Sequence, residues 1–338
     1  MKKVIFILAF LAVLFSSCQH KELCFNHREH AYRYHIDINA EYQQDWEENY
    51  GYTDWQNNWP DNYIPYDDLR PEKPSGIRVI NTNSNGESNI HNIGADGGVV
   101  TLYEGVNDIL LYNNDTEYIV FSRTDNGATT RATTRTRTRA TFKPSQYAHE
   151  NEESMTPPDM LYARYYQGYY AEKVLDPVPL DVTLHPLVFT YKIRYEFEEG
   201  LQYVAMARGA LSGMAISVLM NTGETSDISS TLLYDCELKD YGVGALVNSF
   251  GVPAFPNLDY VTKVPAKHAL SLELLLKNGK MVTLDYDVTD QVQYQPHGGV
   301  IVVSGIVIKP EEGSQGSGAF DVEVNPWGEY EDIYLPLM

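Results

Sequence analysis

The chain has 338 residues, 46 acidic against 25 basic side chains, a formal charge of −21 at neutral pH, and 43% hydrophobic content. That acidity excludes general affinity for nucleic-acid backbones, because counterion release requires a basic face. The apolar content excludes a mostly disordered chain, and the length suits two domains that each bury a core.

Residues 1–17, MKKVIFILAFLAVLFSS, read as an export signal. Lys2 and Lys3 form the charged start, and Val4 to Phe15 form an apolar core too short to span a bilayer. Ser16 and Ser17 lead directly into Cys18, and small residues followed at once by Cys resemble the lipobox of bacterial lipoproteins. The residue three before the Cys, usually Leu, is Phe15 here, with Leu14 one place further back. Cys18 is therefore the expected lipidation site. Residues 18–30 become a tether that holds the body at the outer membrane, on the cell surface. Cys24 and Cys236 then remain, and their spacing does not demand a disulfide.

In residues 31–41, AYRYHIDINAE, the side chains Tyr32, Tyr34, Ile36 and Ile38 alternate with Arg33, His35, Asp37 and Asn39, the period of a half-buried strand. Residues 42–74 are rich in rings and acids and contain Trp46, Trp55 and Trp59. Such rings either stack on a carbohydrate or cover the edge of a core. Strand patterns resume in GIRVIN, GGVVTLYEG, DILLYNN and EYIVFSR, separated by Gly, Asn and Asp turns.

The run ATTRATTRTRTRAT, residues 128–141, places Arg131, Arg135, Arg137 and Arg139 in a stretch without acids. Thr favours strands and long Arg stems lie along a sheet, so the run is expected to be an edge strand, with a protease site as the other reading. Residues 159–174 fit either a short helix or a strand. LDPVP interrupts the pattern near residue 175, which sets the expected boundary between an N-terminal unit, 31–174, and a C-terminal unit, 175–338. In the second unit, Phe189, Tyr191, Ile193 and Tyr195 alternate with Val188, Thr190, Lys192 and Arg194, and further short strands follow to residue 335. Many short strands without a helical pattern give an all-β class, two β-sandwich domains in tandem after the signal peptide.

Catalytic and metal patterns are not met. His27, His30 and His35 lack the i, i+4 helical spacing of a zinc site, and GALSG (209–213) has Ser212 out of place for a nucleophile elbow. No carboxylate pair stands out, so neither an enzyme nor a cofactor is expected.

Three fragments carry a family resemblance: GGVVTLYEGVNDILLYNNDTEYIVF (97–121), RGALSGMAISV (208–218) and NSFGVP (248–253), together with Cys18. They resemble the FimB-like fimbrial anchor lipoproteins of Bacteroidales. That resemblance implies two transthyretin-like β-sandwich domains and a surface lipoprotein that anchors or terminates a pilus, with pilin or fimbrillin subunits as partners. It also implies β-augmentation, in which an extended segment of one subunit completes the sheet of the next. Arg-specific maturation of the family's stalk subunits keeps the protease reading of the Thr-Arg run open.

The C-terminal SGAFDVEVNPWGEYEDIYLPL offers Phe320, Val322 and Val324 on one face, then Ile333 and Leu335. It is either a closing core strand or a strand that contributes to subunit contact, with strand 31–41 as the other exchanging element. A surface glycan-binding lipoprotein that uses Trp46, Trp55 and Trp59 is the alternative reading.

Overall fold

The computed structural model describes residues 31–43, 54–58, 60, 63–69, 72–256, 266–314 and 330–333. The alternating N-terminal segment forms strand β1 (His35–Tyr42) and turns Ile36 and Ile38 inward. Strands β2 (Gly76–Asn83), β3 (Ser88–Gly94), β4 (Gly97–Thr101) and β5 (Gly105–Asn113) follow. Next come β6 (Ile119–Ser122), β7 (Arg131–Thr134), β8 (Thr136–Thr138) and β9 (Glu153–Met155), which lie outside this first sheet. The chain returns to it with β10 (Tyr162–Ala171) and β11 (Val178–Pro186), so the undecided segment 159–174 is a strand.

The sheet closes on itself in the order β1-β11-β10-β5-β2-β3-β4. Its corners are thin: β3 meets β4 only at Gly94 and Gly97, and β10 meets β11 only at Tyr162 and Ala163. It is in effect a sandwich rolled shut. Gly97 marks the tightest approach. Its φ is +118°, and a Cβ there would lie 1.7 Å from the Ile38 carbonyl oxygen.

Strand β11 changes the expected division at residue 175. It runs parallel to β1, with Ile36 opposite Val178 and Tyr42 opposite Leu184, and its Val182 and Leu184 fill the same core as Ile36 and Ile38. β11 therefore belongs to the first unit. The LDPVP break is a connection within that unit.

The second unit contains β12 (Phe189–Glu199), β13 (Val204–Ala215), β14 (Ser217–Leu219), β15 (Ser229–Lys239) and β16 (Gly242–Ser249). It continues through β17 (Ala269–Leu276), β18 (Met281–Asp287), β19 (Gly299–Val307) and β20 (Glu331–Ile333). One layer is β18-β17-β13-β15 and the other is β16-β12-β19; the end of β15 crosses over to pair with β16. The alternation of β12 sends Tyr191, Ile193 and Tyr195 into the core against Leu270, Leu272 and Leu274. Their polar tips are satisfied: Tyr191 Oη donates to the Gln295 carbonyl at 2.9 Å, and Tyr195 Oη lies 3.2 Å from Tyr234 Oη.

A further core joins the two units. The run Ile109–Tyr112 is fully buried on both faces: Ile109 and Leu111 point into the barrel, Leu110 and Tyr112 out of it. The outward pair packs under a small sheet in which β7 lies between β6 and β14, the latter contributed by the second unit. Val218, Ala215 and Phe250 complete that cluster. The structure is all-β, and among the described residues helices are reduced to short turns such as α1 (Trp55–Asn58). Among the described residues, no helix is long and apolar enough to cross a membrane.

Candidate functional site

The Thr-Arg run is interior rather than an edge. β7 has neighbours on both sides, and β8 lies between β9 and the C-terminal strand β20. β9 in turn runs parallel to the start of β15, so β9, β8 and β20 extend the second unit's sheet outward. The expectation failed because the strands that cover β7 and β8 come from residues 217–219 and 331–333, far away in sequence.

The arginines hold the C-terminal strand. In the antiparallel register Asp332 faces Arg137, and the fork is bidentate: Nε donates to Oδ1 at 2.8 Å and Nη2 to Oδ2 at 3.2 Å. Thr156 Oγ1 donates to the same carboxylate at 3.0 Å. These bonds, Arg137's first, hold the Asp332 carboxyl below its ordinary range. Continuing the register by one residue sets Tyr330 opposite Arg139. The Tyr330 ring lies 4.5 Å from the Arg137 guanidinium, 4.8 Å from that of Arg208 and 5.9 Å from that of Arg139. Its hydroxyl accepts from Arg139 Nη1 at 3.3 Å and donates to Asp235 Oδ1 at 3.1 Å, and Asp235 pairs with Arg208 at 3.1 Å. Burial pushes the hydroxyl pKa up, so it stays protonated as a donor.

Beneath Tyr330 is a buried ion pair. Arg139 Nη2 lies 3.0 Å from Glu273 Oε1, with side chains 0% and 2% exposed. Nη2 is not aligned for a hydrogen bond, and Nε has no partner either, so the hydrogen bond to Tyr330 is part of what satisfies this buried guanidinium. The C-terminal strand thus closes over a charge that the sheet cannot expose.

The two candidate exchanging strands differ sharply in their attachment. β1 is paired on both sides, to β4 and β11, and carries core residues of the barrel. Among the described residues β20 is paired on one side only, at Glu331–Thr138, Asp332–Arg137 and Ile333–Thr136, and Ile333 is 41% exposed. Phe320, Val322, Val324 and Leu335 lie outside the described residues.

Trp55 is no stacking platform for a sugar. It is 2% exposed, in edge contact with Tyr63 at 5.1 Å, and packed with Phe189 and Val300 of the second unit. This part of the ring-rich loop covers a core. Trp46 and Trp59 lie outside the described residues, as do Cys18, Cys24, His27 and His30. His35 is half-buried on β1, and among the described residues no group of His, Cys, Asp or Glu could hold a metal. Cys236 is a free thiol on β15.

Sequence reasoning missed Tyr330, Asp332, Asp235, Arg208 and Glu273. A signal was present: the two-residue spacing of Tyr330 and Asp332 in EYEDI matches that of Arg137 and Arg139.

A family model described as "Domain of unknown function (DUF5119)" matches residues 66–235. No curated protein matches the sequence. Among solved structures, the chain is similar to one from Bacteroides ovatus described as a "putative adhesin", at 18% identity and a TM-score of 0.57, covering 87% of this chain and 97% of that one. It is more distantly similar to the fimbrial anchor protein Mfa2 from Porphyromonas gingivalis, at 11% identity and a TM-score of 0.43, covering 80% and 90%. The tip fimbrial protein Mfa3 of the same organism, C-terminally truncated, matches at 13% identity and a TM-score of 0.31, covering 63% and 76%. The Bacteroides ovatus structure shares the fold; the other two are too distant to add to that.

Proposed function

The chain belongs to the family described as Domain of unknown function (DUF5119), and on that premise we propose that it is a fimbria-associated surface subunit of the anchor type, without enzymatic activity. Cys18 carries the lipid that tethers it to the outer membrane, and the body engages pilin by β-strand complementation. The observation that carries this reading is the attachment of β20: among the described residues it is paired to β8 alone and held there by a side-chain clasp, outside the strands that enclose the core. A strand of that kind can be exchanged without dismantling a core, whereas removing β1 would open the barrel. The adhesin description of the Bacteroides ovatus protein that shares the fold agrees with a surface role.

Deleting residues 331–338 is the test. The expected product is a folded monomer that no longer assembles with pilin in pull-down from a strain that displays fimbriae. A variant that keeps full assembly overturns the reading. A variant that loses the folded state, by circular dichroism and thermal melting, places β20 in the core and also overturns it.

A further inference from the structure

We infer that the exchange is reciprocal: as β20 is donated to a fimbrial partner, the arginine-lined seat it vacates takes an extended strand of that partner, one that carries a phenolic ring two residues before a carboxylate, so that assembly needs both the donated strand and the seat. The inference rests on the fimbrial reading above and adds the recognition chemistry of the partner. The seat has three parts that survive when β20 leaves. The first is the outer edge of β8, whose backbone at Thr136–Thr138 would again need a paired strand. The second is the Arg137 fork beside Thr156, which together supply three directed donors to one carboxylate. The third is Arg139, pinned against Glu273 with its side chain 0% exposed, whose Nη1 loses its hydrogen-bond partner as Tyr330 departs.

The charges agree with this. Arg137, Arg139 and Arg208 surround the Tyr330 ring, and Asp235, Glu273 and Asp332 pair with them. Without Asp332, the cluster is left with one uncompensated guanidinium against the edge of a sheet. A ring and an acid at a spacing of two are what the antiparallel register requires, because Arg137 and Arg139 are themselves two apart on one face. A strand of alternating apolar residues would pair with the backbone and leave the buried guanidinium unsatisfied, so the seat discriminates between strands.

The probe is a synthetic peptide of residues 329–335, EYEDIYL, added to the full chain carrying Tyr330→Ala and Asp332→Ala, which weakens the hold of its own strand. Binding is expected at low salt, with affinity falling as NaCl rises. Peptides with either the Tyr or the Asp of the pattern replaced by Ala should bind at least tenfold more weakly. The unaltered chain, whose own strand occupies the seat, should also bind at least tenfold more weakly, and a chain further carrying Arg137→Gln should lose binding while keeping its thermal transition. Absence of binding, or binding indifferent to these changes, overturns the inference. So does dimerisation of the altered chain alone, which would make a second copy the occupant. If pilin capture persists in Arg137→Gln, the seat fails and the fimbrial reading stands; if the peptide binds but pilin is never captured, the fimbrial reading fails and the seat stands.

Discussion

Substitution at the Arg139–Glu273 pair tests the physical account of the site most quantitatively. Both side chains are buried and 3.0 Å apart, so neither charge can be hydrated once its partner is gone. Glu273→Leu alone leaves the guanidinium uncompensated and should cost about 3–5 kcal/mol; Arg139→Met alone strands the carboxylate at a similar cost. The double substitution removes both desolvation penalties and should lie within about 2 kcal/mol of the unaltered chain, leaving a coupling of at least ~4 kcal/mol. The residual deficit includes the lost hydrogen bond from Arg139 Nη1 to Tyr330, a contact at 3.3 Å. Urea unfolding reads these differences: with an m of roughly 3 kcal/mol/M, a loss of about 4 kcal/mol moves the midpoint by about 1 M. Single variants that cost less than about 1 kcal/mol, as exposed pairs do, would refute the reasoning. A double variant as unstable as either single one would refute it equally.

Other consequences are independent of that pair. Trp55→Ala should destabilise the protein by about 3 kcal/mol in thermal melting, because the ring fills a contact with Phe189 and Val300, and it should leave glycan-array signals unchanged. Gly97→Ala should be strongly destabilising, by at least about 3 kcal/mol in urea unfolding, since the added methyl would meet the Ile38 carbonyl. Burial, with His149 nearby, holds His268 neutral at a pKa of about 4. The unfolded chain therefore takes up that proton first, and stability falls by roughly 3 kcal/mol as pH drops from about 6.5 to about 4. His268→Asn should flatten that limb of the stability profile. The Asp332 clasp has the same sign at lower pH, from a carboxyl lowered by its partners and not from burial: its contribution is complete above about pH 4 and is lost as pH falls through the depressed value, which amide exchange at Glu331–Ile333 would register.

Much of the fold was legible because period-two patterns are local. Ile36 and Ile38, or Tyr191, Ile193 and Tyr195, declare their buried face within a few residues. The doubly buried Ile109–Tyr112 was likewise visible as an unbroken apolar run. Pairing between distant strands was not. Nothing local in VPLDVTLHP shows that β11 runs parallel to β1 across the presumed boundary, and nothing in the Thr-Arg run shows that residues 217–219 and 331–333 cover it. The same reason hid the site. Each arginine is unremarkable alone, and its meaning comes from Tyr330, Asp332, Asp235 and Glu273, which only the register brings together.

Exchange of the C-terminal strand is the central claim, and a photo-crosslinking side chain placed at Ile333 tests it most directly. Introduced into the full-length chain on fimbriated cells and irradiated, it should yield a covalent adduct with pilin, identified by mass spectrometry. An adduct confined to the chain's own β8, around Thr136, in cells that display assembled fimbriae would contradict the account.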